Sequence, residues 1–269
     1  MTQNAKDVRS DAPKKILLLG DTGSGKTTQF LTLPGKKYAY LFDPNAKLTL
    51  RGYDIDYDEY LPSTVNTAIK PLSKDTKGDS PSVLKSDTYR EFEKEFNERL
   101  QNGFFDPYDW IAFDSATTLL DLMMDRVLTL NGRFGQWPNQ DDYGPQMIAF
   151  INLCRNITAM NKGLFVTGHL EDKQDKVTKK LGRLPMMTGR LTAKIPLLFS
   201  EVLGADCDVD KEGKASYILQ TVKDSQFAIV RTSIKGLEPY ENVTVDFLKD
   251  PIGQGLGGIL QWEARGGDK

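Results

Sequence analysis

The run Gly20-Asp21-Thr22-Gly23-Ser24-Gly25-Lys26-Thr27 has the residue types and spacing to hold a polyphosphate. Glycines let a backbone wrap an anion without Cβ clashes, and successive N–H groups can then face it. The lysine of such a loop reaches β- and γ-phosphates, and the hydroxyl after it suits magnesium. The pattern G-x-x-x-x-G-K-[ST] therefore predicts a cradle for ATP and magnesium. Gly20, Asp21, Thr22, Gly23, Ser24, Gly25, Lys26, Thr27 and Thr28 form it, with Thr27 on the metal.

Such a site needs a carboxylate beside the metal. Asp114 ends the apolar run Trp110-Ile111-Ala112-Phe113, and Asp43 ends Tyr38-Ala39-Tyr40-Leu41-Phe42. Asp114 is favoured for the metal, because Ser115-Ala116-Thr117-Thr118 opens a helix after it and places it at the carboxyl edge of a sheet.

These residues need strands and helices to position them. Lys15-Ile16-Leu17-Leu18-Leu19-Gly20 reads as a buried parallel strand, followed by the Gly-rich turn and a helix from Lys26. Further strands are predicted over 38–43, 110–114 and 163–168, with His169 at the end of the last. A helix capped by Ser86 or Asp87 carries Tyr89, Phe92, Phe96 and Leu100 at spacings of three and four. Residues 171–190 read as a polar, basic loop. Residues 202–209 and 217–221 read as a hairpin around Lys211-Glu212-Gly213, and 227–231 as a final strand. Early alternation of strands and helices with late hairpins implies an α/β sheet with an antiparallel far edge.

Composition bounds the rest. The chain has 269 residues, long enough for one α/β domain, and its 39% hydrophobic and 27% charged content fits an ordinary soluble globular protein rather than a disordered one. The net charge of −2 removes any global attraction to nucleic acid, so such binding needs a local basic patch. With His169 the only histidine, a multi-histidine metal site is excluded. Cys154 and Cys207 lack metal-ligand spacing and are expected as reduced, buried thiols. No 18-residue apolar run marks a membrane span, and residues 1–13 lack a signal-peptide core. A cytoplasmic protein with a flexible tail over 1–13 is expected.

Several features recur together: the cradle near the N-terminus, Trp110 to Leu119 with Asp114-Ser115, Asp142-Tyr143-Gly144 before a helix, Val166-Thr167-Gly168-His169 at a strand end, and the closing strand Ser216–Thr221. On these residues the chain resembles single-domain AAA/RecA-like P-loop ATPases of phage type, relatives of Sak-type single-strand annealing proteins. The resemblance covers roughly residues 14–235. It implies a RecA-like P-loop core: a mostly parallel central sheet with helices on both faces and an antiparallel C-terminal edge. Residues 236–269 are then a loosely attached extension.

The resemblance also implies roles. RecA-like proteins activate water with a glutamate just past the second strand. Asn45 stands there, with Asp43 as the substitute, so hydrolysis is expected to be slow. His169 matches the strand-end residue that senses the γ-phosphate. Residues 171–194 match a DNA-binding loop. They hold seven basic residues, Lys173, Lys176, Lys179, Lys180, Arg183, Arg190 and Lys194, against the acids Glu171, Asp172 and Asp175. Arg133, Phe134 and Trp137 offer stacking surfaces for bases of single-stranded DNA. Arg231 and Lys235 are candidates for a trans-acting finger in a homo-oligomer with nucleotide between protomers. Tyr53 is the aromatic residue offered for the adenine.

Three functions compete. The first is an ATP-dependent single-stranded DNA-binding protein of recombination, annealing or replication. The second is a nucleotide switch acting through protein partners, which the negative net charge and Asn45 favour. The third, a small-molecule kinase, fits poorly because the basic loop is lysine-rich, whereas kinase lids over the phosphates are arginine-rich.

Overall fold

Alternate residues of each inner strand sort onto opposite faces of one sheet. In the computed structural model, which describes Asn4 and residues 12–63, 86–174, 181–225 and 227–267, strand β1 (Lys15–Gly20) sends Leu17 and Leu19 to one face and Ile16 and Leu18 to the other. Strands β2 (Lys37–Leu41), β4 (Trp110–Asp114) and β5 (Gly163–Gly168) do the same. β2, β4 and β5 are buried along their length and β1 from Ile16 on, as continuous apolar runs require when both faces are covered.

Eight strands form the main sheet, in the order β10-β9-β8-β1-β5-β4-β2-β3. The remaining members are β3 (Ile55–Glu59), β8 (Glu201–Val209), β9 (Ala215–Gln220) and β10 (Tyr240–Asn242). From β8 through β3 every pairing is parallel, and β9 and β10 add an antiparallel edge. One face carries α3 (Thr88–Gln101), α4 (Ala116–Leu130) and α5 (Tyr143–Ala159) over an aromatic core that includes Tyr40, Phe92, Phe96 and Phe113. The other carries α1 (Lys26–Leu31), α2 (Lys47–Leu50) and α7 (Gly255–Ala264), with Phe30 and Phe165 at its centre. This is the expected α/β architecture, with helices on both faces.

Four expectations need correction. Residues 171–190 are not a plain loop: β6 (Leu170–Gln174) and β7 (Leu181–Pro185) pair as a separate antiparallel hairpin, and α6 (Leu191–Lys194) follows. The predicted strand over 227–231 reduces to a single bridge between Val202 and Arg231, because Phe227 and Val230 are buried by packing rather than by a ladder. The C-terminal extension is bound tightly. Gln29 Oε1 accepts from the Leu256 N–H at 2.9 Å, Thr32 Oγ1 accepts from the Gly257 N–H at 2.9 Å, and Lys14 pairs with Glu263 at 2.7 Å. Both cysteines are free, but only Cys154 is fully buried. Apart from Asn4 and residues 12–13, the predicted N-terminal tail lies outside the described residues, as do residues 64–85. Among the described residues no helix is long and apolar enough to cross a membrane.

Candidate functional site

Because β1, β2, β4 and β5 run parallel, their carboxyl ends meet along one edge, and the predicted chemistry gathers there. The turn after β1 takes left-handed backbone at Gly23 (φ 82°) and Gly25 (φ 80°), which non-glycine residues rarely adopt. Gly20 is fixed by close approach instead, since a Cβ there would lie 2.3 Å from the Ala205 carbonyl oxygen. Ser24 closes the turn by donating its hydroxyl to the Asp21 carbonyl at 2.8 Å.

Lys26 is buried, and its Nζ donates to the Gly20 and Asp21 carbonyls, each at 2.8 Å. Burial pushes its pKa down, against the opposing pull of Asp114, Asp43 and Asp21. One residue on, the Thr27 hydroxyl donates to Asp114 Oδ2 at 2.7 Å. The other Asp114 oxygen accepts a short hydrogen bond from the Thr167 hydroxyl on β5. Asp114 is 5% exposed. Burial pushes its pKa up more than the two threonine hydroxyls and Lys26 pull it down, and the nearby Asp43 charge adds to the rise. The Asp114–Ser115 peptide bond is cis.

Asp43 takes the opposite direction. Burial raises its pKa, but the nearby His169 ring and hydrogen bonds from Thr118 and Ser115 outweigh burial and hold the carboxyl below its ordinary range. Ser115 Oγ donates at 3.0 Å, Thr118 Oγ1 makes a shorter contact, and His169 Nε2 lies 3.6 Å away. His169 is steadied from behind, where its N–H donates to Thr117 Oγ1 at 3.0 Å. β5 lies between β1 and β4, so His169 is delivered between the phosphate loop and Asp114.

Gly23, Gly25, Lys26, Thr27, Asp43, Asp114 and His169 line one cavity of about 510 Å³, together with Thr22, Thr28, Asn45 and Tyr217. Asn45 has φ 69°, the one left-handed non-glycine among the described residues. Asparagine is enriched in that conformation, which gives a physical reason for an amide here. Magnesium takes oxygen ligands and usually leans on one or two carboxylates plus substrate phosphates. Thr27 and Asp114 fit that requirement. No group of three or more His, Cys, Asp or Glu able to hold a metal by itself occurs among the described residues.

The other predicted residues divide. Trp137 is 84% exposed, but Phe134 is 3% exposed and offers no stacking face. Arg133 is committed to the buried Asp142 at 2.5 Å, so it braces its loop rather than presenting a free charge. Arg183 pairs with Asp21 at 2.5 Å and approaches Asp172 at 3.8 Å. Lys173, Arg190 and Lys194 are exposed, while Lys176, Lys179 and Lys180 lie outside the described residues. Arg231 is exposed and donates to the carbonyls of Pro196, Leu197 and Phe199 within its own chain. Lys235 is exposed. Tyr53 packs against the α1-side core and does not line the cavity. Sequence reasoning missed Thr167 and Tyr217. The alternation of β5 could have singled out Thr167, a hydroxyl in an otherwise apolar strand.

A family model described as an AAA domain matches residues 12–228, a span that holds the whole cavity. No curated protein matches the sequence. Among solved structures, the flagellar accessory protein FlaH from Methanocaldococcus jannaschii is similar at 15% identity and TM-score 0.41, over 91% of this chain and 93% of that one. The KaiC-like protein PH0186 from Pyrococcus horikoshii OT3 is similar at 12% identity and TM-score 0.41, over 79% of this chain and 85% of that one. With its phosphate loop, its strand-end carboxylates and a match over most of its length, the chain belongs to the AAA domain family, on an α/β fold with a mostly parallel central sheet.

Proposed function

We propose that this chain is a cytoplasmic ATP-dependent switch that binds magnesium-ATP, hydrolyses it slowly and couples nucleotide state to single-stranded DNA, in recombination, annealing or replication of the kind Sak-type phage proteins serve. One observation carries the nucleotide reading. Lys26 and the hydrogen-bonded Thr27–Asp114 pair converge on one cavity at the carboxyl edge of a parallel sheet.

Magnesium, when bound, offsets phosphate charge. The chain's own residues do the rest. Lys26 exchanges the Gly20 and Asp21 carbonyls for phosphate oxygens. Thr167 holds the Asp114 carboxylate in place. His169, between Asp43 and the cradle, reads the terminal phosphate and passes its presence to the hairpin that starts at Leu170. A carboxylate held below its ordinary pKa range is a weak proton acceptor, and an amide is weaker still. Asp43 and Asn45 therefore support slow turnover.

The DNA half rests on the excess of four positive charges over residues 171–194 and on the exposed Trp137 ring. Assembly of protomers around the nucleotide belongs to the same proposal, with Lys235 as the candidate trans-acting cation. The competing reading, a switch acting through protein partners, is favoured by the commitment of Arg133 and Arg183 to intramolecular pairs and by the burial of Phe134.

Fluorescence anisotropy of labelled single-stranded DNA decides between them, with ATP, ADP or no nucleotide and at low and high salt. ATP-dependent, salt-sensitive binding that disappears in Lys26→Ala is expected. A protein that binds ATP but leaves DNA free in every state belongs to the second reading.

A further inference from the structure

The carboxylates and His169 occupy one side of the nucleotide cavity, and a single tyrosine ring occupies the other. Asp114 ends β4, and His169 and Asp43 stand just past β5 and β2; all three strands lie to one side of β1 in the sheet. Tyr217 comes from β9, beyond β8 on the opposite side of β1. It is the one Phe, Tyr or Trp among the described residues that line this cavity.

Its backbone is fixed at both ends. The Tyr217 N–H donates to Thr244 Oγ1 at 2.9 Å, and its carbonyl accepts from the Val243 N–H at 2.8 Å. The half-buried ring lies against the phosphate loop, where a Cβ built on Gly25 would sit 2.8 Å from Tyr217 Cδ1. The hydroxyl meets no hydrogen-bond partner among the described residues. Core packing does not account for all of this placement, because part of the ring faces the cavity.

A triphosphate that points its terminal phosphate at Asp114 and His169 must run across the loop toward β8 and β9. Its base then arrives at Tyr217. We propose that Tyr217 is the wall on which the nucleobase stacks, a specificity-determining residue that recognises a flat aromatic face rather than a hydrogen-bonding edge. This inference rests on reading the cavity as a triphosphate site.

Titration calorimetry with magnesium-ATP and with magnesium tripolyphosphate, which has the phosphates but no base, tests the proposal. Wild type should bind both ligands, and Lys26→Ala neither. Tyr217→Leu should lose about tenfold in ATP affinity and keep its tripolyphosphate affinity, while Tyr217→Phe keeps both. Equal loss of both ligands in Tyr217→Leu would show that the ring only shapes the loop at Gly25, and unchanged ATP affinity would show that no base reaches it. Either result overturns the proposal. Failure of wild type to bind tripolyphosphate as well as ATP would overturn the triphosphate reading itself, and the base wall with it.

Discussion

Arg183 Nη2 lies 2.5 Å from Asp21 Oδ2, so the β6–β7 hairpin is tied directly to the phosphate loop. The hairpin begins one residue after His169, which itself lies 3.6 Å from Asp43. The candidate site thus has two connections to one hairpin. The Asp21 side chain is 62% exposed, so the ion pair contributes only about 0.2–1 kcal/mol. Arg183→Gln should therefore leave the melting temperature nearly unchanged, yet speed amide hydrogen exchange in Leu170–Gln174 and Leu181–Pro185. Unchanged exchange in both strands would remove the tether from the account.

The two site carboxylates should respond to pH with opposite sign. Burial raises the Asp114 pKa above its ordinary 3.8, so its ionisation opposes folding as pH rises through that raised value. Asp43 is held below 3.8, so its ionised form favours folding and that contribution is lost as pH falls through the depressed value. At neutral pH without nucleotide, Asp114→Asn should melt higher and Asp43→Asn lower than wild type, by roughly 2–4 °C for each kcal/mol. Both differences should shrink as pH falls toward and below 4. Thermal melts from pH 3 to 8 read this out, and a shift of the same sign in both variants contradicts it. Asp114→Asn should also lose ATP hydrolysis, because its stability gain comes at the expense of the metal ligand.

His169 should matter for discrimination more than for affinity. Its N–H is anchored to Thr117 and its ring to Asp43, so His169→Ala leaves the Lys26 cradle intact. Allosteric coupling between sites typically amounts to 1–3 kcal/mol, or about 5–150-fold. In His169→Ala the ratio of DNA affinities with ATP and ADP should collapse toward one while ATP affinity is kept. Parallel anisotropy and calorimetry measure the two quantities. A variant that retains the ATP-to-ADP ratio rules out His169 as the reader.

Gly257 on α7 should be intolerant of a side chain. A Cβ there would lie 1.8 Å from the Thr32 carbonyl oxygen at the end of α1. Gly257→Ala must push the two helices apart, at a cost of about 1–3 kcal/mol. Gly144, at the start of α5, is the control, since a Cβ there meets nothing within 4 Å. Gly144→Ala should be neutral or stabilising by about 0.4–1 kcal/mol. Denaturant melts of the two variants provide the comparison, and similar midpoints would refute the close approach.

The parallel core was readable because burial on both faces forces continuous apolar runs. Trp110–Asp114 and Gly163–Gly168 have in the structure the ends their sequence implies. The β6–β7 hairpin was not readable, because its strands pair only with each other and only Leu170 and Pro185 among their residues are buried, which leaves no apolar signature. Phe227 to Arg231 erred the other way: its apolar residues serve packing, and only one bridge forms. In the site, Lys26, Thr27 and Asp114 follow from local spacing. Thr167 and Tyr217 act on partners more than fifty residues away, and no local pattern reports that. Phe134 and Trp137 look alike as aromatic loop residues, and only the tertiary structure buries one and exposes the other.

The cluster of glycines near the C-terminus looked like slack chain, but its smallness is what lets α7 lie so close to α1. Gln29, on the back of the helix that carries Lys26, and Thr32, just past its end, are hydrogen-bonded to Val243 and residues 253–257. A ribosome therefore completes the parallel strands of the sheet, the last of which is β8, before it supplies the brace for the helix behind the phosphates. Until those last residues emerge, the nascent chain has the cradle's sequence without the support that holds the cradle in shape.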